Sequence, residues 1–157
     1  MFRIAHISDL HCGSPEFVPN LLERAIMEIN EVHPQIVVCS GDLTAFGFRQ
    51  EYAIAKEYLD RLQCDQFVVI PGNHDSRNVG YMHFEEQFGE RNPVVHVNGV
   101  SVVAVDSSEP DLDHGQIGRS RYRWIEEQFS RPADFRIFVL HHHLLPVPGT
   151  GRERNVV

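Results

Sequence analysis

The sequence predicts an α/β fold built on a parallel sheet, and three observations carry that expectation. Strand-like runs alternate with helical patterns from Phe2 to Ile70. The run Ile36-Val37-Val38-Cys39 is apolar at every position, as a strand covered on both faces must be. Each of the parallel-type strands empties into a group of ligand-type polar residues, which is where open α/β sheets bind their ligands.

The elements follow in order. Phe2 to Ile7 reads as the first strand and stops at Ser8-Asp9. Leu22, Ala25, Ile26 and Ile29 fall at i, i+3, i+4 and i+7, an amphipathic helix that Pro34 ends. Ile36 to Cys39 is the second strand and runs into Ser40-Gly41-Asp42. Arg49 to Leu62 is a second helix, with Tyr52, Ala55, Tyr58, Leu59 and Leu62 inward and its charged face in solvent. Phe67 to Ile70 is the third strand. Strand, helix, strand, helix, strand implies right-handed crossovers and parallel pairing.

Beyond Ile70 the pattern changes. Tyr81 to Phe88 reads as a short helix. Val94–Val97 and Val100–Val105 flank Asn98-Gly99, a strong β-hairpin signal. Asp106 to Gly118 is a polar loop. Arg119 to Phe129 is helical, with Tyr122, Trp124, Ile125 and Phe129 apolar. Phe135 to Leu140 is a last strand that runs into His141-His142-His143. Pro146 to Val157 carries no assignable element. With no repeat, low-complexity tract or linker, residues 1–157 read as a single domain.

The totals narrow the function. A 42% hydrophobic content excludes a disordered chain. No apolar run is long enough to span a bilayer, and the N-terminal apolar stretch is too short for a signal peptide. The three cysteines, Cys12, Cys39 and Cys64, are an odd number without CxxC spacing, which fits a reducing cytoplasm. A net charge of −8 argues against strong nucleic-acid binding and against a nuclease. If the substrate is a phosphate, metal ions are the obvious source of the missing positive charge.

The strand ends supply the donors for such ions. The first gives Asp9-Leu10-His11, the second Gly41-Asp42, the third Gly72-Asn73-His74-Asp75 and the last the triple histidine. Each group alone is ordinary: Gly-Asp is commonly a turn. Their joint placement after apolar strands is not ordinary. Carboxylate, imidazole and amide oxygen together suit Mn, Fe or Zn. One carboxylate can bridge two cations, which acidify a water and clamp phosphoryl oxygens. A nearby imidazole can protonate the leaving oxygen. Elsewhere, His6 reads as packed or edge-exposed, His33 and His83 as solvent-facing, and His96 as structural. His114 lies in a loop able to overhang the site.

Asp9-x-His11, Gly41-Asp42, Gly72-Asn73-His74-Asp75 and His141 together resemble the calcineurin-like metallophosphoesterases. Asp106-Ser107-Ser108, Gly115-Gln116-Ile117-Gly118 and Trp124 further resemble the branch containing class III cyclic-nucleotide phosphodiesterases. The resemblance implies a four-layer α/β/β/α sandwich, which also accounts for the hairpin. It implies two divalent metal ions, with Asp9 and His11 on one and Asp42 bridging both. Asn73 and His141 would hold the second, His141 ranking ahead of His142. It implies His74 as an outer-shell acid oriented by Asp75. The function so implied is metal-dependent hydrolysis of a small nucleotide-type or related phosphodiester by a metal-activated water.

One element of the pattern is missing. The family ends its site with Gly-His-x-His, and this sequence has no histidine after His143. The expectation is therefore the N-terminal portion of a longer enzyme, lacking two ligands and the strands that carry them. Weakened metal binding and self-association through an open sheet edge would follow. The alternatives are a non-catalytic scaffold of the same fold and an inactive fragment.

Overall fold

The structure, a computed structural model, describes residues 1–146. β1 (Ile4–Ile7), β2 (Ile36–Cys39) and β3 (Gln66–Val69) form a parallel sheet in that order. Ile7 lies opposite Cys39, and Cys39 opposite Val69, so the three strands end level with one another. That register brings the residues following each strand to one edge.

α1 (Pro19–Val32) and α2 (Arg49–Leu59) are the two crossovers. α1 starts on a proline, whose missing N–H costs nothing in the first turn. It ends at His33, exposed and left-handed with φ 47°, one residue before Pro34. α2 is three residues shorter than its apolar pattern suggested, although Leu62 still packs on the same core from the following turn. With α3 (Gly80–Phe88), these helices cover one face of the sheet through Leu22, Ile26, Tyr52, Ala55, Leu59 and Phe84.

The second sheet holds β4 (Val94–Val97), β5 (Val100–Ala104) and β6 (Phe135–Val139). β4 and β5 are the expected hairpin, antiparallel with Val97 opposite Val100. Asn98 and Gly99 both adopt positive φ, 49° and 78°, as a tight two-residue turn needs. β6 pairs parallel to β5. The sequence pattern puts all four ligand-bearing strand ends on one sheet, whereas β6 belongs to the second. The hairpin starts that sheet, and β6 extends it on the far side of β5.

The two sheets pack face to face. Ile36, Val38, Val68 and Ile70 of the first meet Val100, Val102, Ala104 and Val139 of the second. Each valine or isoleucine here contributes on the order of 1.5–3 kcal/mol on burial. α4 (Tyr122–Phe129), entered through a short 3-10 turn at Arg119–Arg121, covers the outer face with Trp124, Ile125 and Phe129. The layers are therefore α/β/β/α, as the resemblance implies.

Among the described residues, one part of the seam is uncovered. Among the described residues β6 pairs only with β5, and β1 only with β2. Ile4 and His6 on β1 are exposed, beside a groove whose other wall is Ile137, Val139 and Leu140. Among the described residues no helix is long and apolar enough to cross a membrane. The C-terminal stretch left unassigned falls, from residue 147 on, outside the described residues.

Candidate metal centre

The level strand ends continue pairing past the sheet. Asp9 N–H donates to the Gly41 carbonyl, His11 N–H to that of Asp42 and Cys12 N–H to that of Leu43, each at 2.9 Å. Asp9, His11 and Asp42 all hold left-handed backbone, with φ of 57°, 47° and 53°. Such conformations cost a non-glycine residue on the order of 1–3 kcal/mol and persist where the surroundings over-determine them, often at functional sites. Three candidate ligands share that strain.

Asp42 is the hub. Its side chain is nearly buried, and its Oδ1 accepts the His74 N–H at 3.0 Å. Oδ1 also stands 3.5 Å from His141 Nε2, and Oδ2 stands 3.6 Å from His11 Nε2. Two clusters of ligand atoms form around it: His11, Asp42 and His74, and Asp9, Asp42 and His141. Within each cluster the atoms lie within 4.8 Å of one another. A carboxylate common to both clusters is what a bridging ligand requires.

Two glycines make the approach possible. A Cβ on Gly41 would lie 2.7 Å from Gly72 N and 2.8 Å from His141 Nδ1. One on Gly72 would lie 2.2 Å from Asp42 Oδ1 and 2.5 Å from Asp42 N.

The triple histidine divides its work. His141 Nδ1 donates to the Ser40 carbonyl at 2.9 Å, which leaves Nε2 as the ligand atom. That Nε2 lies 3.1 Å from Asn73 Oδ1. His142 turns away: its Nδ1 is 2.7 Å from the Ser107 hydroxyl, and Gly115 packs on the ring. Burial first, and then the neighbouring His141, pull His142 down to about 4. His143 is exposed. The geometry thus favours His141 as ligand over both neighbours.

His74 is held differently from the expectation. Its Nδ1 donates to the Ala45 carbonyl at 2.7 Å, and its ring sits edge-on to His11 with centroids 4.7 Å apart. Asp75 does not orient it directly. The Asp75 carboxylate is fully buried and accepts from Leu43 N–H, Thr44 N–H, the Thr44 hydroxyl and Gly72 N–H, at 3.0, 2.9, 2.8 and 2.8 Å. It ties the turn after β2 to the turn after β3, and so places the Ala45 carbonyl one step from His74. Burial, and then Asp42, push Asp75 up to about 6, against the pull of those hydrogen bonds.

His11 and Asp9 polarise each other. The imidazole beside it takes Asp9 down to about 2, and Asp9 raises His11 in turn. A ring nitrogen of His74 lies within 4.8 Å of the donor atoms of His11 and Asp42.

Asn73 is nearly buried, and its Nδ2 donates to Asp113 Oδ1 at 3.3 Å. Asp113 also accepts from Arg77 Nη2 at 2.6 Å. The sequence reading gives Asp113 and Arg77 no role, since neither lies at a strand end, and marks Ser107 only as part of a family-like motif. It considered the neighbouring His114, which is exposed. His6 bonds Ser40 Oγ at 2.7 Å, a structural contact.

The donors present, two carboxylates, three imidazoles and an amide oxygen, fit divalent transition ions. Asp9, Asp42, Asn73 and His141 line a cleft of about 330 Å³ at the end of the inter-sheet seam, and His11 and His74 line a neighbouring hollow that Asp9 shares.

The model of the calcineurin-like phosphoesterase family matches residues 2–156. A probable glycerophosphodiester phosphodiesterase, GpdQ, of Arcobacter nitrofigilis is 32% identical over 154 residues, covering 89% of this chain and 56% of the relative. A cAMP/cGMP dual specificity phosphodiesterase of Mycobacterium tuberculosis is 26% identical, covering 92% and 51%. A probable cyclic nucleotide phosphodiesterase of Rhodococcus erythropolis is 27% identical, covering 92% and 52%. The chain therefore spans about half the length of the curated relatives it matches.

Proposed function

From the premise that the chain belongs to the calcineurin-like phosphoesterase family, we propose that it carries the dinuclear centre of a metal-dependent phosphodiesterase. The substrate is a small nucleotide-type or related phosphodiester. The observation that carries this reading is the buried Asp42 shared by two ligand clusters, with His74 beside it. The names of the relatives, the small acidic cleft and the net charge of −8 support a small diester over a nucleic acid.

As the family pattern implies, Asp9, His11 and Asp42 would hold one cation, and Asp42, Asn73 and His141 the other, with Mn, Fe and Zn as candidates; Asp9 lies within reach of both, 3.8 Å from His11 and clustered with His141. Two divalent cations bound there supply an acidified water and charge for the phosphoryl oxygens. The protein does the rest. Asp42 holds its two oxygens towards opposite clusters. Asn73 contributes a neutral oxygen, so the second position is the weaker one. His74 keeps Nδ1–H on the Ala45 carbonyl, leaving Nε2 to deliver a proton to the departing alkoxide. The three free cysteines support a reducing, cytoplasmic setting.

The test is elemental analysis together with hydrolysis of bis-p-nitrophenyl phosphate in added manganese. Metal with turnover supports the reading. Metal without turnover favours a scaffold of the same fold, and no metal overturns the centre in this chain.

A further inference from the structure

We propose that Asp113, in the loop between β5 and α4, is a positioning residue that sets the orientation of the Asn73 amide and thereby the strength of the second cation position. The inference rests on the metal centre proposed above.

The loop is fastened to both ligand-bearing turns. At its start Ser107 meets His142, next to the candidate ligand His141. Asp111 accepts the Asn78 N–H at 3.0 Å, and Ser108 meets Ser76, so the loop also grips the segment that follows Asn73. Asp113 lies between the Asp111 fastening and Gly115, which packs on His142.

The chemistry at Asp113 is one-directional. A carboxylate only accepts hydrogen bonds, whereas an amide has one accepting end and one donating end. With Nδ2 on Asp113 and Oδ1 beside His141, the amide presents its oxygen to the cation position. Turned over, it would set oxygen against carboxylate and aim NH₂ at the cation. Asp113 opposes that flip. Arg77 holds Asp113 in place through the same Oδ1, and Arg77 is carried by the turn that carries Asn73. The clamp closes on itself and needs no other element. A neutral ligand depends more on such a partner than a carboxylate does, because a carboxylate offers an oxygen whichever way it turns.

The side chain of Asp113 is 61% exposed, so removing it leaves the core intact. The test is a calorimetric Mn²⁺ titration of the chain and of Asp113→Ala, Asp113→Asn, Asn73→Ala and the double variant Asn73→Ala/Asp113→Ala. Loss of an outer partner to a metal ligand commonly costs about ten- to hundredfold in affinity. Asp113→Ala should weaken the weaker position by that factor and spare the stronger. Asp113→Asn keeps a carbonyl acceptor and should lose less; being isosteric, it also serves if the alanine variant folds poorly. The double variant should bind no more weakly than Asn73→Ala alone, which a merely structural role would not produce. Asp113→Ala binding like the parent, or losses that add in the double variant, would overturn the proposal alone. A parent chain that binds no Mn²⁺ would overturn it together with the proposed centre.

Discussion

Gly72→Ala tests the geometry most directly. The added methyl would stand 2.2 Å from Asp42 Oδ1 and 2.5 Å from Asp42 N. Comfortable contact begins near about 3.5 Å, so the turns after β2 and β3 must part by roughly 1 Å. Neither turn yields easily. Gly72 N–H is bonded to Asp75 at 2.8 Å, and the Asp42 carbonyl accepts from His11 at 2.9 Å. Overpacking of this kind costs about 1–3 kcal/mol. At this chain length each kcal/mol moves the melting temperature by about 2–4 °C, so a fall of about 2–12 °C is expected. Displacing the shared ligand by about 1 Å should cost on the order of a hundredfold in turnover. Thermal melts followed by circular dichroism, with bis-p-nitrophenyl phosphate hydrolysis in manganese, read both effects. Gly89→Ala is the contrast: it has φ 85° and no atom within 4 Å of a new Cβ. It should lower stability by about 1–3 kcal/mol and leave turnover alone. A Gly72→Ala protein that melts and turns over like the parent would refute the reasoning.

Asp42→Ala should abolish metal binding and turnover together, and full activity in that variant would sink the assignment of the bridge. His74→Ala should lower kcat by about 10²–10⁴, more for alkyl than for p-nitrophenyl leaving groups, with metal content kept; loss of metal instead would make His74 a ligand. His142 titrates near 6.5 when unfolded and at about 4 in the fold, so the unfolded chain binds more protons between those values. Stability present above pH 6.5 is therefore lost as pH falls towards 4, by up to about 3 kcal/mol. Asp75, raised from 3.8 to about 6, works in the opposite sense, so the effect is read in EDTA as the difference from His142→Asn. Equal pH profiles for parent and variant would contradict it. Ile4, Phe135 and Leu145 are exposed along the seam and the β6 edge, and a second copy pairing there should make the chain self-associate. A clean monomer in sedimentation at micromolar concentration would count against that.

Strand ends were legible in the sequence because their signal is local. An apolar run followed by Asp-x-His or Gly-Asn-His-Asp needs no partner to be read. The hairpin was legible for the same reason, since Asn98-Gly99 carries its turn in two residues. The sheet to which β6 belongs was not, because pairing with β5 depends on contacts across thirty-odd positions. Asp75 shows the same limit at the site. The resemblance implies that it orients His74, but its four donors come from Leu43, Thr44 and Gly72. The ring is held by the backbone of Ala45, and no sequence pattern marks a carbonyl. Asp113 reaches Asn73 across forty positions, through a loop with no periodicity to read.

The face-to-face packing of the two sheets has a mechanical consequence. His141 hangs from the second sheet, and every other candidate ligand hangs from the first. A cation gripped by both would act as a rivet through the seam, joining halves whose packed faces are aliphatic. By linkage, occupancy at a hundred times the dissociation constant would add about 2.7 kcal/mol to folding. The coupling runs both ways. A methylene lost from Val102 or Val68, far from any ligand, lets the halves settle differently and is felt at the rivet. Ion affinity here is thus partly a property of the hydrocarbon layer between the sheets.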